Sequence, residues 1–347
     1  MLCYVKQTCC VRWDNVDSKS FKVTNGVRQG SSTSPYLFSV YIDALFLQLE
    51  ASGLGCYVDD QFLGVFGYAD DVVLLSPSLE GLQKMLDICN KFCVEHGIQI
   101  SVDRNPKKSK TKTVAFNCKN KSPSNLILND IPVPWSDSYK HLGHKISSDQ
   151  DMFHDLNAKC GEFNGKVHAL RQEIGSQHPD TFMKLTNIYL STFYGSSLWD
   201  LSHANSNKLW TTWNTLIRTT YNLNFRTHCY ITISLHKGNH LKTKLLTRFI
   251  NFYKLIAKSD KSTIKTLMSK QRDDLRSSFG RNCRFIQNMC NVPNIKDACV
   301  KNIPIYPVPE GEQWRLNIIQ ELLNTDLMIP GVDNTNRKVM LDELCTN

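Results

Sequence analysis

Residues 62–75, FLGVFGYADDVVLL, decide the fold of the first third of this chain. Val, Phe and Leu dominate both ends of the stretch, and a polar break interrupts it at residues 67–71. Two short apolar runs separated by a few turn-forming residues predict a β-hairpin. This hairpin would carry two adjacent carboxylates, Asp70 and Asp71, at its tip.

Helical patterns stand on both sides of the predicted hairpin. Ser34 and Pro35 predict an N-cap followed by a proline in the first turn, and the helix continues to Gly53. Its inward face is predicted to hold Leu37, Val40, Tyr41, Ala44, Leu45 and Leu49. A second helix is predicted from Ser76-Pro77 to Gly97. Short strands are predicted at residues 98–102 and 113–116.

The chain changes character beyond residue 153. From there to residue 289 the apolar residues recur at helical spacing and glycines are few, which predicts an all-helical region. The late prolines predict a loosely ordered end. We therefore expect an α+β fold in three parts, at residues 1–150, 151–290 and 291–347.

Composition excludes several classes of protein. The chain has 347 residues, of which 41% are hydrophobic and 10% aromatic, and this is ample for a buried core. Neither an apolar run long enough to span a membrane nor a secretory signal is recognised, so we expect an intracellular protein of the cytoplasm or nucleus. The thirteen cysteines are expected to be reduced, and they lack the Cys-x-x-Cys spacing of a zinc site.

Charge is distributed unevenly along the sequence. The net charge is +9, but residues 1–100 carry about −4 and residues 201–290 about +13. An acidic front beside a basic middle suits a protein that holds a metal in one place and a polyanion in another. An ordinary solvated basic surface explains the same numbers, and charge alone does not separate the two interpretations.

Two Asp-Asp pairs occur in the front part of the chain. Carboxylate oxygens are the ligands that Mg²⁺ prefers, so Asp70 and Asp71 at a hairpin tip are candidate metal ligands. A solvated acidic turn is the alternative for any such pair. Asp59 and Asp60 lack a preceding apolar strand, and we interpret them as a plain turn.

Four motifs follow one another in a fixed order. They are NGVRQG with Ser-Pro at residues 25–35, YADD at 68–71, NPKKS at 105–109 and YKHLGH at 139–144. Together they resemble the palm of reverse transcriptases from non-LTR (LINE-type) retrotransposons. The resemblance spans about residues 10–146 and continues more weakly through the helical region.

The resemblance implies a fold, an activity and a set of site residues. It implies a partial palm, an antiparallel sheet with helices, followed by a helical thumb-like region. It also implies an RNA-directed DNA polymerase that uses Mg²⁺, an RNA template, a DNA primer and deoxynucleoside triphosphates. Asp70 and Asp71 would be the catalytic metal ligands. The nucleotide- and template-binding residues would be Arg28, Gln29, Gly30, Ser34, Pro35 and Lys108, and the primer-grip residues would be Leu142 and Gly143.

Some of these roles stay open at the level of sequence. Lys108 competes with other lysines of the same basic turn, at positions 107, 110 and 112. Trp199, Trp210 and Trp213 stand among basic residues, so they suit either base stacking or a core.

Two departures from the family pattern stand out. Ser31, Ser32 and Thr33 replace the usual residues before Ser-Pro. The family's motif A, a strand with a catalytic aspartate, should precede Gly26 by several dozen residues, whereas Asp14 and Asp17 lie in a polar stretch. We therefore expect a fragment that starts between motifs A and B, binds Mg²⁺ weakly and is catalytically incomplete. The alternatives are a non-catalytic nucleic-acid-binding remnant and a decayed reading frame without a selected role.

Overall fold

The computed structural model describes residues 7–24, 26–118, 124–174, 179–190, 193–235 and 241–298, with a few positions between 311 and 343. Its contacts divide the chain into two compact units. The first holds residues 1–113 and 118–136, and the second holds residues 114–117 and 137–347.

The first unit combines two helices with short antiparallel hairpins. Its strands are β1 (Thr8–Cys9), β2 (Arg12–Trp13), β3 (Val16–Asp17), β4 (Phe21–Lys22), β5 (Tyr57–Val58), β6 (Gln61–Phe62), β7 (Val65–Tyr68), β8 (Asp71–Leu74), β9 (Ile127–Leu128) and β10 (Ile131–Pro132). The helices are α1 (Ser34–Ala51) and α2 (Leu79–Glu95). The pairs are β1–β4, β2–β3, β5–β6, β7–β8 and β9–β10, all antiparallel.

Both helices of the first unit are found where the sequence predicts them, with shifted starts. Thr33, rather than Ser34, is the N-cap of α1. The start predicted for α2 at Ser76-Pro77 is also wrong, because Ser78 is the N-cap and its side chain accepts a hydrogen bond from the Gly81 backbone N–H at 3.1 Å. The Ser78 hydroxyl satisfies a first-turn N–H that has no partner within the helix, and this stabilises the helix start at that residue.

The predicted inward face of α1 is partly wrong. Leu45 and Leu49 are buried, but Val40 is 76% exposed and Leu37 and Tyr41 are also exposed. The buried face is centred on Ile42 instead, because this face packs on α2 and β7.

The core of the first unit is small. Its main cluster of buried side chains is Ile42, Leu45, Leu49, Met85, Cys89 and Phe92, and a second cluster is Leu86, Leu126, Leu128 and Val133. Burial raises the pKa of the Cys89 thiol to about 12 and also raises the pKa of Cys93. Tyr41 ties the two helices together by donating its hydroxyl to the His96 carbonyl at 2.7 Å.

The two strands predicted after α2 do not form. Residues 98–102 contribute backbone hydrogen bonds, such as Thr111 N–H to the Ser101 carbonyl at 3.0 Å, but they pair with no strand among the described residues. Residues 113–116 are reduced to one isolated bridge between Thr113 and Trp135. Alternating apolar residues without a neighbouring edge in register do not make a ladder.

The second unit is one hairpin followed by helices. The hairpin is β11 (Ser138–His141) with β12 (His144–Ser147). The helices are α3 (Phe153–Ile174), α4 (Pro179–Leu185), α5 (Asn207–Thr220), α6 (Cys229–Leu235), α7 (Leu241–Ala257), α8 (Ser262–Asp273), α9 (Ser278–Cys290) and α10 (Ile295–Ala298). Thr186–Leu190 is a π-helical turn, and Ser196–Leu198 and Ala204–Ser206 are 3₁₀ turns.

A large apolar core holds this unit together. It includes Trp199, Trp210 and Trp213, together with Phe249 and Tyr253, none of them more than 9% exposed. The core interpretation of these tryptophans is therefore confirmed. No described helix combines the length and the apolar composition that crossing a membrane requires. The segment predicted to be loosely ordered lies mostly outside the described residues.

The fold class agrees with the expectation at a coarse level. The chain mixes helices with small antiparallel hairpins, which is an α+β fold.

Candidate active site

The hairpin predicted from residues 62–75 forms, and it places the Asp70-Asp71 pair at its tip. Strands β7 and β8 pair in register from Val65 opposite Leu74 to Tyr68 opposite Asp71. Ala69 and Asp70 therefore form a two-residue turn, while Asp71 begins β8. Tyr68 is 67% exposed, and both carboxylates are exposed as well.

The turn holds Ala69 in an unusual backbone conformation. Its φ of 51° lies in the left-handed region, which a Cβ atom disfavours by about 1–2 kcal/mol. The flanking ladder holds the turn in this shape. Backbone strain of this kind is common at active sites and ligand-binding sites.

Gly67 fixes where the hairpin meets α1. A Cβ atom at this position would collide with the ring of Phe46, so glycine lets the β7 backbone approach the helix closely. The contact explains why a glycine interrupts an otherwise apolar strand. The carboxylates are thus carried by a hairpin that is backed by a helix.

Residues 26–30 form a turn that leads into α1. Gly26 and Gly30 have φ values of 87° and 84°, which favour glycine at both positions. The Ser34 hydroxyl donates to the Arg28 carbonyl at 2.6 Å, and Ser34 is only 7% exposed. The contribution of Ser34 that can be seen here is therefore to hold the turn. Arg28, Gln29, Gly30 and Pro35 are exposed.

Lys108 lies in a turn organised by Asn105. The Asn105 carbonyl accepts from the Lys108 and Ser109 backbone N–H groups at 2.9 and 3.1 Å. The Asn105 side chain accepts from the Lys107 N–H at 3.0 Å. Lys108 is exposed, as are the competing lysines at positions 107, 110 and 112, so exposure does not select one of them.

Leu142 and Gly143 form the tip of the β11–β12 hairpin in the second unit. Their φ values are 46° and 80°, the conformation of a tight two-residue turn. Lys140 lies directly opposite Lys145 in this hairpin, and His141 lies opposite His144.

The donor set at the YADD turn suits one divalent cation better than two. Both carboxylates come from a single hairpin. A metal site usually brings together at least three His, Cys, Asp or Glu side chains. Among the described residues, the ligand atoms of Asp149, Asp151 and His154 form one such group, within 4.8 Å of one another, and Asp70 and Asp71 are not part of it. Two oxygen donors fit a weakly held Mg²⁺-type ion, whereas a two-metal centre needs more ligands.

The group at residues 149–154 has a structural explanation. Asp149 accepts from the Ser147 hydroxyl and from the Asp151 N–H, and Asp151 accepts from the Phe153 N–H at the start of α3. These hydrogen bonds, led by the one from Ser147, hold the pKa of Asp149 well below its usual range. Such bonds are typical of a helix start.

Asp17 is already engaged by another side chain. Arg12 donates from Nε and Nη2 to its two carboxylate oxygens at 2.7 and 2.8 Å. This exposed pair lowers the pKa of Asp17. Asp14 lies in the β2–β3 turn with a φ of 49°.

Comparison with known proteins identifies the family to which residues 2–146 are similar. The family model "Reverse transcriptase (RNA-dependent DNA polymerase)" matches residues 2–146. These residues are related to reverse transcriptases. The matched stretch includes the YADD hairpin, the turn before α1 and the Lys108 turn, and it ends within the β11–β12 hairpin.

Individual relatives identify the type of element. The chain is 33% identical over 91 residues to the Pol polyprotein of the type-2 retrotransposable element R2DM of Drosophila melanogaster, covering 26% of this chain and 8% of that protein. It is 28% identical over 129 residues to that of the type-1 element R2 of Popillia japonica, covering 35% and 18%. The resemblance to non-LTR reverse transcriptases is thereby confirmed.

A third relative extends the similarity into the helical part. The Pol polyprotein of the type-1 element R1 of Bradysia coprophila is 23% identical over 201 residues, which cover 56% of this chain and 18% of that protein. An alignment of that length is longer than the family match and includes residues of the second unit. The chain spans less than a fifth of the length of these three relatives. Reverse transcriptases as a family use divalent metal ions.

Proposed function

We propose that this chain is part of an RNA-directed DNA polymerase of a non-LTR retrotransposon. Residues 1–150 act as a partial palm, residues 151–290 as a helical thumb with a basic extension, and residues 291–347 as a C-terminal segment. The observation that carries the proposal is the exposed Asp70-Asp71 turn on a hairpin backed by α1, inside the stretch related to reverse transcriptases.

Asp70 and Asp71 hold the catalytic cation in this proposal. Their exposure leaves the carboxylate oxygens accessible to a hydrated Mg²⁺ ion and to the phosphates of a deoxynucleoside triphosphate. Bound there, the ion would stabilise negative charge on the reacting phosphate.

The other site residues position the substrates. The turn formed by Arg28, Gln29 and Gly30, anchored by Ser34 before Pro35, lies under the template base and the incoming nucleotide. Lys108 lies near the triphosphate. Leu142 and Gly143 hold the primer end. An RNA template and a DNA primer are the corresponding partners.

The chain by itself does not polymerise in this proposal. Two-metal transfer needs carboxylates from more than one strand. Asp17 is engaged by Arg12, and the described residues bring no third ligand atom into a group with those of Asp70 and Asp71. The missing carboxylate would have to come from elsewhere in the polyprotein.

Metal binding tests this proposal directly. We expect one Mg²⁺ per chain with about millimolar affinity, as for a site short of ligands, measured by titration calorimetry. Asp70→Asn with Asp71→Asn should abolish that binding. Asp59→Asn with Asp60→Asn is the matched control, since it removes the same charge from a neighbouring turn, and it should bind as the wild type does. Equal loss in both double variants would contradict the assignment.

A primer-extension assay tests the proposal that the chain lacks a catalytic carboxylate. The purified chain should extend no DNA primer on an RNA template with either Mg²⁺ or Mn²⁺, because changing the metal does not supply a ligand. Extension that disappears in Asp70→Ala would show that the chain is a complete polymerase.

A non-catalytic nucleic-acid-binding role is the second candidate. The observation that favours it is the engaged Asp17 together with the small donor set at the turn. In that case the chain would bind nucleic acid equally well with Mg²⁺ or with EDTA, and the Asp70-Asp71 double variant would bind as the wild type does.

A further inference from the structure

Tyr194 is a large aromatic side chain that is exposed yet held in place. The residue is 63% accessible, and one face of its ring stacks on His144 with centroids 5.2 Å apart and an interplanar angle of 27°. A planar ring with one face packed and most of its surface accessible leaves the other face available to a second planar group.

His144 also contacts a buried carboxylate. Its Nδ1 lies 3.5 Å from Oδ2 of Asp155, and the two side chains are 17% and 7% exposed. Asp155 in turn accepts from the Trp199 indole N–H at 2.9 Å and from the Lys145 backbone N–H at 3.0 Å. Asp155 therefore joins β12, α3 and the segment around Trp199 at one point.

Gly195 shows how closely this arrangement is packed. A Cβ atom on Gly195 would collide with the His144 ring, and the φ of 80° favours glycine independently. The hairpin tip is also near, since a Cβ atom on Gly143 would lie 3.5 Å from the Tyr194 ring. Tyr194 is thus presented beside the Leu142-Gly143 turn in a fixed orientation.

The charged side chains on the two strands of the hairpin and on their turn are all basic. Residues 138–147 carry no Asp or Glu, and Lys140 is paired directly opposite Lys145. Two like charges in opposed positions destabilise a hairpin, and a nearby phosphate backbone relieves that repulsion. An exposed aromatic ring can bind a single strand by stacking with one of its bases, while lysines of the same hairpin contact the phosphates of that strand.

We propose that Tyr194 is a stacking platform for a nucleobase of a strand held at the β11–β12 hairpin, with His144, Asp155 and Gly195 as its positioning residues. This inference rests on the proposed function, and it adds a contact outside the stretch that the family model matches. The ring supplies a base contact without sequence preference, while Lys140 and Lys145 supply contacts with phosphates.

Fluorescence anisotropy with a labelled single-stranded oligothymidylate tests this on the full chain. Tyr194→Ala should bind about tenfold more weakly than the wild type, and Tyr194→Phe should bind like it, because the ring rather than the hydroxyl makes the contact. Tyr189→Ala is the matched control: Tyr189 is 67% exposed on the π-helical turn, and no ring contact backs it among the described aromatic pairs.

Three further measurements separate base stacking from the effect of charge. The salt dependence of binding should be unchanged in Tyr194→Ala but reduced in Lys140→Gln, since only the lysine releases counterions. On an abasic strand of the same length, the wild type and Tyr194→Ala should bind equally. Gly195→Ala should weaken binding to the normal strand as Tyr194→Ala does, because it displaces His144.

The outcomes distinguish this inference from the function on which it rests. Wild-type binding that Tyr194→Ala leaves unaltered would overturn the stacking platform while the proposed function stands. An equal loss on the abasic strand would overturn it too. A wild-type chain that binds no nucleic acid at low salt would overturn both.

Discussion

The two units of this chain differ in where they place their apolar surface. The second unit packs many of its large side chains in one core that contains Trp199, Trp213 and Phe249, although Phe225 and Leu255 are exposed. The first unit has two small clusters and leaves several large apolar residues of α1 exposed, namely Tyr36, Leu37, Val40, Tyr41 and Leu47. The larger core therefore lies in the helical unit, whereas the carboxylates that suggest chemistry lie on the unit with the smaller clusters.

The difference suggests a division of labour. A large core holds backbone segments rigidly, which suits a unit that has to present Tyr194 and the Leu142-Gly143 turn. A small core with exposed apolar helix surface suits a unit whose surroundings are completed by other polypeptide. The relatives, of which this chain covers less than a fifth, are longer polypeptides.

Removing a large buried side chain should have the largest effect. Trp213 is fully buried in the helical core, so Trp213→Ala should lower the free energy of unfolding by about 3–5 kcal/mol. Trp13→Ala is the matched control in the first unit: Trp13 is 81% exposed, and its loss should change that free energy by less than about 0.5 kcal/mol. Urea unfolding followed by circular dichroism measures both. Similar losses would remove the contrast between the units.

An ion pair with a buried carboxylate should give an intermediate effect that depends on pH. Asp200 is 3% exposed, and its Oδ2 accepts from Arg281 Nε at 2.6 Å. Burial favours a higher pKa for Asp200, but hydrogen bonds from Ser202 and Arg281 outweigh it, so the pKa is lowered. Asp200→Asn should therefore cost about 2 kcal/mol at neutral pH.

The sign of the pH effect follows from the lowered pKa. A carboxylate with a lower pKa in the folded state stabilises the fold above its unfolded pKa of about 3.9, and this contribution is lost as the pH falls below that value. The thermal unfolding temperatures of the wild type and of Asp200→Asn should therefore converge as the pH is lowered from about 5. Parallel curves would show that Asp200 acts through packing alone.

The smallest effect concerns the strained turn. Ala69→Gly should raise the free energy of unfolding by at most about 1 kcal/mol, because relief of the left-handed conformation exceeds the entropy that glycine adds to the unfolded chain. Ala44→Gly in the exposed middle of α1 should lower it by about 1 kcal/mol. Differential scanning calorimetry should give opposite signs for the two variants, and equal signs would argue against strain at Ala69.

The sequence predicts the hairpin at residues 62–75 and both flanking helices because their signals are local. The alternating and helical patterns of apolar residues can be recognised within a short window of sequence. Gly53 and Gly97 mark the ends of the two helices in the same local way. The relationship to non-LTR reverse transcriptases is also carried by short motifs. The inward face of α1 was not predictable in the same way, since it depends on which neighbours cover Ile42 and Leu45.

Long-range contacts account for what the sequence analysis missed. Asp155 reads as an ordinary acidic residue in the first turn of a helix, and nothing local links it with His144 or with Trp199, which is 44 residues away. Gly195 likewise gives no sign that a ring stands where its Cβ atom would be. The prediction of a strand at residues 98–102 was wrong for a related reason, since no neighbouring strand among the described residues pairs with this segment.

The buried thiols of α2 have a practical consequence. The thiolate is the form that alkylating reagents attack, and a pKa of about 12 leaves almost none of it at Cys89 at neutral pH. Cys10, Cys118 and Cys229 are exposed. A maleimide dye should therefore label these three quickly and reach Cys89 only when α2 opens. Because Cys160, Cys283 and Cys290 of the second unit are buried as well, the slow labelling has to be mapped to the peptide that contains Cys89, and its rate then measures the opening of the first unit.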